Sequence, residues 1–427
     1  MAKNIVMLAV TASLLGFGEG AAATENNAMG QNLPRWGVAC CAPTKPSAML
    51  AVAGAQSAAG GRVDAKSAFE KGRAALQAGD LDAAEKAFRA VLAADAGSAA
   101  AYANLGVIAM RRMEWERALE LLRKAERLDP RMSGVRLNIG LVEFRRGNYV
   151  GAIAPLSAVI GEQPGSGQAR YLLGLCEVLT ERYGAAVATL EPLWEERSGE
   201  VMYLYVLGIA AHNAGEKELD ERALARMVEM GGDGPELHLI LGKAYLNRQE
   251  NAKAVAELEK ALAADTRLPF GHFNLGVAKM RTGDDDGAEK EFLADIAVEA
   301  DVAENYAELG FLYAREQKRE EAEKEFGEAL RRDGRMDAAR FGLAQLYFDE
   351  GKLAAGLREA DAVVKAAPES QKAHYLRARI LGRLGRAEEA KAEMAVTQRL
   401  MNANLGKARA DLGEGTLANP ELTRGPQ

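Results

Sequence analysis

The sequence predicts an all-α fold, a solenoid of about ten helix–turn–helix repeats of 34 residues. Three observations carry that prediction. Gly72, Gly106, Gly140, Gly174, Gly208, Gly242, Gly276 and Gly310 recur every 34 residues, and Ala344 and Ala378 continue the column. A second small column follows in each repeat, from Ala84 to Ala390 with Asp220 as its polar exception, and an apolar column runs from Phe88 to Met394. Between the two halves, Gly79, Gly147, Gly215, Gly283, Gly351 and Gly385 stand where a helix must end with positive φ.

The array is preceded by two segments of different character. Residues 1–23 resemble a secretory signal peptide: Lys3 gives a positive start, residues 5–15 are apolar, and Ala21, Ala22 and Ala23 form a small-residue cleavage site. That apolar run is too short to span a bilayer, so no stable membrane span is expected. The alternative is a later start at Met29 or Met49 and a cytoplasmic chain. Residues 24–64 have no period and are rich in Ala, Gly, Ser and Pro, the composition of a disordered linker.

The array itself occupies residues 65–404. Its repeats begin at Ala65, Ala99, Ser133, Gly167, Val201, Pro235, Pro269, Ala303, Asp337 and Gln371. In that numbering the glycine column is position 8, the mid-repeat glycine position 15, the alanine column position 20 and the apolar column position 24. Positions 4, 7, 8 and 11 form one helical stripe, and positions 20, 24 and 27 another. Small residues at 8 and 20 let two antiparallel helices approach closely. Asp80 and Asp284 follow a position 15 glycine and suit the N-cap of the second helix. Repeat five departs, with Asp220 in the alanine column and Ala223 three residues later, which predicts a locally shifted second helix. Residues 405–427 are expected to hold a polar capping segment and then a disordered tail.

This pattern resembles the tetratricopeptide repeat family. Repeat two carries Tyr102, Leu105, Gly106, Ala118, Leu122, Ala125 and Pro130, and repeat eight carries Tyr306, Leu309, Gly310, Tyr313, Ala322, Phe326 and Ala329. The resemblance implies a right-handed α-solenoid whose first helices line a concave surface. It also implies a protein or peptide partner, contacted from positions 2, 5, 6, 9, 12 and 13.

Nothing in the sequence points to catalysis or a cofactor. There is no nucleophile elbow, phosphate loop or dinucleotide fingerprint, and the glycines belong to columns 8 and 15. A net charge of −7 argues against wholesale attraction to nucleic acid or anionic membrane. Cys40, Cys41 and Cys176 make neither a disulfide framework nor a metal site. His238, His272 and His374 share position 4, where a structural histidine is the simpler reading than a metal ligand. Asp284, Asp285 and Asp286 lack the spacing of a calcium loop.

The candidate site is therefore a binding face. Position 5 is apolar or aromatic throughout, with Leu137, Tyr171, Tyr205, Phe273 and Phe341 the chosen anchors; the competing reading packs them under neighbouring repeats. Position 13 carries Arg111, Arg145, Arg281, Arg315 and Arg383, a guanidinium ladder for partner carboxylates or else a solvated helix end. Asn104, Asn138 and Asn274 hold position 6, and an amide there can both donate to and accept from an extended chain. The expected role is a non-enzymatic protein-interaction scaffold, exported to a bacterial-type envelope as a periplasmic or secreted protein. A self-associating spacer and a regulatory subunit of an enzyme or export complex are the alternatives, and the oligomeric state stays open.

Overall fold

The computed structural model describes residues 65–411, with side chains to residue 405. The leader, the linker with Cys40 and Cys41, and the tail after Asp411 lie outside the described residues.

Helix pairs follow the 34-residue period. Repeats one to four have the first helices Ala65–Ala78, Ala99–Arg111, Ser133–Arg145 and Gly167–Leu179. Their second helices begin at Leu81, Trp115, Tyr149 and Tyr183. Val201–Ala214 and Lys217–Met230 are the first and second helices of repeat five. Pro235–Asn247, Gly271–Thr282, Ala303–Arg315, Asp337–Asp349 and Gln371–Arg383 are the later first helices. The last helix, Ala387–Asp411, continues through the segment expected to cap the array. No strand occurs among the described residues. The described residues divide into two compact bodies between Asp220 and Glu221.

Within each body, a first helix packs on its own second helix, on the second helix of the preceding repeat, and beside the first helices of its neighbours. Glycine makes the closest of these approaches possible. A Cβ at Gly106 would sit 2.7 Å from Leu122, and one at Gly310 would sit 2.6 Å from Phe326. The core is accordingly a string of clusters: Ala118, Leu122 and Ala125 of repeat two meet Val135, Ile139 and Val142 of repeat three. The same arrangement joins Ala322, Phe326 and Ala329 to Ala339 and Leu343.

The turn between the paired helices is uniform. All six glycines of position 15 have φ between 74° and 85°. Met113, Glu181, Gln249 and Gln317 occupy the same position in other repeats and take φ of 59° to 61°. The geometry thus belongs to the turn, not to the residue. Asp80 and Asp284 cap the helices after it, accepting from Ala83 N at 2.9 Å and Gly287 N at 3.0 Å.

Two irregularities interrupt the pattern. In repeat four the second helix stops at Leu190 and passes through a 3-10 turn, Glu191–Leu193, before Trp194–Arg197. Pro192 sits at this break and lacks the N–H an α-helix requires. In repeat five Ala223 and Met227 are the buried pair, while Leu224 of the apolar column is partly exposed, as a shifted helix demands.

Candidate partner-binding face

The first helices carry the sequence-predicted site residues, and the structure sorts these into three groups. The arginines of position 13 are mostly internal staples. Arg111 Nη1 donates to the Leu76 carbonyl at 2.8 Å, Arg281 Nη1 to Leu246 at 2.9 Å, and Arg383 Nη1 to Phe348 at 2.8 Å. Each acceptor is position 12 of the preceding repeat, a carbonyl at a helix end whose backbone partner is the position 15 N–H at 3.2 to 3.3 Å, leaving its second lone pair for the guanidinium. Arg315 bonds Asp285 of the preceding repeat, and Arg145 is exposed. The guanidinium ladder is therefore corrected: Arg111, Arg281 and Arg383 are engaged in holding one repeat to the next.

Position 4 supplies a second staple, six residues long. His272 Nε2 lies 3.0 Å from the Thr266 carbonyl oxygen and His374 Nε2 lies 3.0 Å from that of Pro368. Arg170, Arg340 and Tyr306 donate to the equivalent carbonyls of Pro164, Gly334 and Ala300 at 2.8 to 3.0 Å. The other ring nitrogen of each histidine meets a glutamate of the second helix, Glu291 at 2.7 Å or Glu393 at 2.6 Å. His238 pairs likewise with Glu257 at 2.7 Å. Among the described residues no cluster of His, Cys, Asp or Glu is placed to hold a metal ion.

The aromatic residues of position 5 are also corrected. Tyr171, Tyr205 and Phe273 are 7%, 1% and 4% exposed, so they do not form an open strip. Tyr171 lies beside Tyr203 of the next repeat with the Arg197 guanidinium 4.9 Å from its ring centre, and Phe273 packs on the core residue Phe292. Helices brought together by position 8 leave these rings no room to turn outward. Leu137 and Phe341 keep partial exposure.

The asparagines divide. Asn104 Nδ2 donates to the Ala100 carbonyl at 2.8 Å and Asn274 Nδ2 to Phe270 at 2.7 Å, each one turn back in its own helix. Asn138 is equally buried, yet its Nδ2 has no hydrogen-bond partner.

Three charged residues of the second body were not picked out in the sequence. Lys243, at position 9, is buried, and burial pushes its amine down to about 8. Glu308, at position 6, has an Oε2 atom without a hydrogen-bond partner, and burial pushes its carboxyl up to about 7 against the opposing field of Arg281. Asp295 takes the place of the small residue at position 27. It accepts from Phe273 N at 2.9 Å and from Asn305 Nδ2 at 2.7 Å, tying the start of one first helix to the next. A polar residue in an apolar column was the available signal for Asp295; Lys243 and Glu308 stand in columns of mixed character.

A tetratricopeptide repeat profile matches residues 69–133, 114–167, 137–191 and 239–303, and a second profile of the same description matches residues 313–380. The chain belongs to the tetratricopeptide repeat family. No curated protein matches it. Among solved structures it is similar to yeast Tom70, at 16% identity over 79% of this chain and 85% of that one, with a TM-score of 0.42. A tetratricopeptide repeat protein from Parabacteroides merdae is 20% identical over 55% of this chain and 93% of its own, with a TM-score of 0.46. The APC/C hetero-tetramer Cut9-Hcn1 gives 12% identity, coverage of 79% and 87%, and a TM-score of 0.43. No helix among the described tetratricopeptide repeats is long and apolar enough to cross a membrane.

Proposed function

We propose that this tetratricopeptide repeat protein is a non-enzymatic interaction scaffold that binds a segment of a partner protein on its first helices. One observation carries the reading. On those helices Asn138 Nδ2 in the first body and Glu308 Oε2 in the second are buried without a hydrogen-bond partner, and in the second body burial holds the Lys243 amine down to about 8. An unsatisfied buried group costs about 1–3 kcal/mol, and more when charged. A partner that brings a carbonyl, a carboxylate and a hydrogen-bond donor removes those costs on binding.

The experiment is in-cell crosslinking with Lys243→Met and Glu308→Gln, followed by identification of captured proteins. The expected result is a weakened or lost partner with thermal stability kept or raised, since each change removes a buried charge. An unchanged partner set rejects this face as the binding site. The reading includes export: the leader of residues 1–23 is removed and the array acts in the envelope or outside it. N-terminal sequencing of protein from fractionated cells tests this, and a retained Met1 counts against it.

A second reading, self-association through the last repeat, rests on Met394. It holds position 24, fully buried in most repeats, but is 45% exposed. Sedimentation at rising concentration distinguishes the two, because only self-association produces an oligomer without a captured partner.

A further inference from the structure

The last repeat carries a charge out of keeping with the rest of the chain. Its first helix, Gln371–Arg383, holds Lys372, Arg377, Arg379 and Arg383 and no carboxylate, in a protein whose net charge is −7. Two of these cations already serve the fold. Arg377 bonds Asp361 at 2.5 Å and also meets Glu393, and Arg383 Nη1 donates to the Phe348 carbonyl. Lys372 and Arg379 are exposed, and neither has a carboxylate partner among the described residues.

Their placement makes a stripe. At 3.6 residues per turn, Lys372, Tyr375, Arg379 and Arg383 fall within about 80° of one another around the helix. Tyr375 is 46% exposed, an open ring at position 5, where Tyr171, Tyr205 and Phe273 are buried. Phe348, from position 12 of repeat nine, holds both outer guanidiniums: Arg379 lies 4.5 Å from the ring centre and Arg383 4.9 Å. Arg379 also lies 5.8 Å from the centre of the Tyr375 ring. Such contacts orient a guanidinium without neutralising it. Two like charges thus share one ring. Glu389 and Glu393 of the second helix are engaged elsewhere, the first with Arg386 and the second with His374 and Arg377.

We infer that this stripe takes an acidic segment of a partner protein, with a side-chain carboxylate across Arg379 and Arg383 and an apolar side chain against Tyr375. The inference rests on the first helices being the binding face and names the chemistry that the last of them reads. A carboxylate matches the planar fork of Arg379, accepts from the N–H groups of Arg383 that the Phe348 carbonyl does not use, and relieves the repulsion between the two. Lys372 stands about 10 Å away along the helix, placed for a second carboxylate two or three residues on in an extended segment. A short acidic segment touches the stripe alone. A long polyanion such as nucleic acid also meets the field of the whole chain, which is negative.

The test is isothermal titration calorimetry of the full chain with an acetylated, amidated heptapeptide alternating Glu with Leu, and with its counterpart carrying Gln for Glu. The blocked ends make side-chain carboxylates the sole negative charges. The Glu peptide is expected to bind, more weakly as salt is added, and the Gln peptide about tenfold more weakly or worse. Arg379→Gln is expected to weaken the Glu peptide by about tenfold or more, the fold-change of a charge-assisted hydrogen bond, and Lys372→Gln by less. Arg145→Gln, an exposed arginine of the first body, should leave binding unchanged. Circular dichroism checks that each variant is folded. Equal binding of the two peptides, equal losses from Arg379→Gln and Arg145→Gln, or tighter binding of an oligothymidylate of the same length overturns the inference. An oligomer that Arg379→Gln disperses would give the stripe to a second copy and overturn it as well. Lys243 and Glu308 lie outside the stripe, so crosslinking with their variants decides the scaffold reading separately.

Discussion

Arg281 Nη1 donates to the Leu246 carbonyl oxygen across 2.9 Å, joining the end of one first helix to the end of the one before it. Arg111 and Arg383 make the same bond to Leu76 and Phe348. A guanidinium suits this place because it stays charged when half-buried and its fork reaches a helix-end carbonyl that has a lone pair to spare. Arg281 is half-buried, and that burial lowers its proton affinity.

Replacing Arg281 with Met is therefore expected to destabilise the protein by about 1.5–3 kcal/mol, the value of a hydrogen bond from a charged donor. Urea unfolding followed by circular dichroism measures it. Partner capture by the folded variant should be unchanged. A loss of capture at full stability would return Arg281 to the binding face.

The close pairing of positions 8 and 24 gives a second expectation. A Cβ at Gly174 would lie 2.3 Å from Leu190 Cδ2. Gly174→Ala should cost about 1–3 kcal/mol by overpacking. In a Leu190→Ala background the added methyl has space, so the cost should fall by at least about 1 kcal/mol in a double-mutant cycle. Repeat nine already has this combination, Ala344 with Ala360. Additive effects of the two substitutions would reject steric coupling.

The repeat was legible because packing acts on side chains: the 8, 20 and 24 columns are the contact between paired helices, and each contact must recur. The position 13 staple was not legible, since its acceptor is a backbone carbonyl and no side chain at position 12 records it. The Tyr171 and Phe273 rings were misplaced for a related reason. Period alone distinguishes one helical stripe from another, but not a stripe open to water from one turned into the next repeat. Pro192 warned of the break in repeat four, yet Pro155 lies inside the intact helix Tyr149–Glu162, so proline alone did not decide. The unsatisfied groups of Asn138 and Glu308 required coordinates, because satisfaction is a property of neighbours.

Met113 allows the turn to be tested with a gain. It takes φ of 59° at position 15 and its side chain is 65% exposed. A non-glycine residue in this region carries about 1–2 kcal/mol of strain, partly offset in Met113→Gly by the freedom glycine adds to the unfolded chain. The expected net effect is stabilisation by about 0.5–1 kcal/mol, read as a rise in the urea midpoint at unchanged slope. A fall in stability would mean that the exposed thioether contributes more than the backbone strain.

Glu85 sets the acid limit of the first two repeats. It accepts from Arg112, from Arg89 at 2.7 Å and from Arg117 at 2.6 Å. The Arg112 hydrogen bond, followed by that from Arg89, holds the carboxyl at about 2, below its ordinary 4.5. A carboxylate with a depressed folded pKa stabilises the fold above its unfolded pKa and loses that contribution as pH falls through the folded value. Glu85→Gln should therefore cost about 1 kcal/mol at pH 7, the modest size reflecting solvent screening of the cluster. The difference from the parent should shrink below about pH 4.5 and vanish near pH 2. Unfolding by urea between pH 2 and 7 at low and high salt measures it, and a difference constant across that range would show that the arginines do not hold the Glu85 charge.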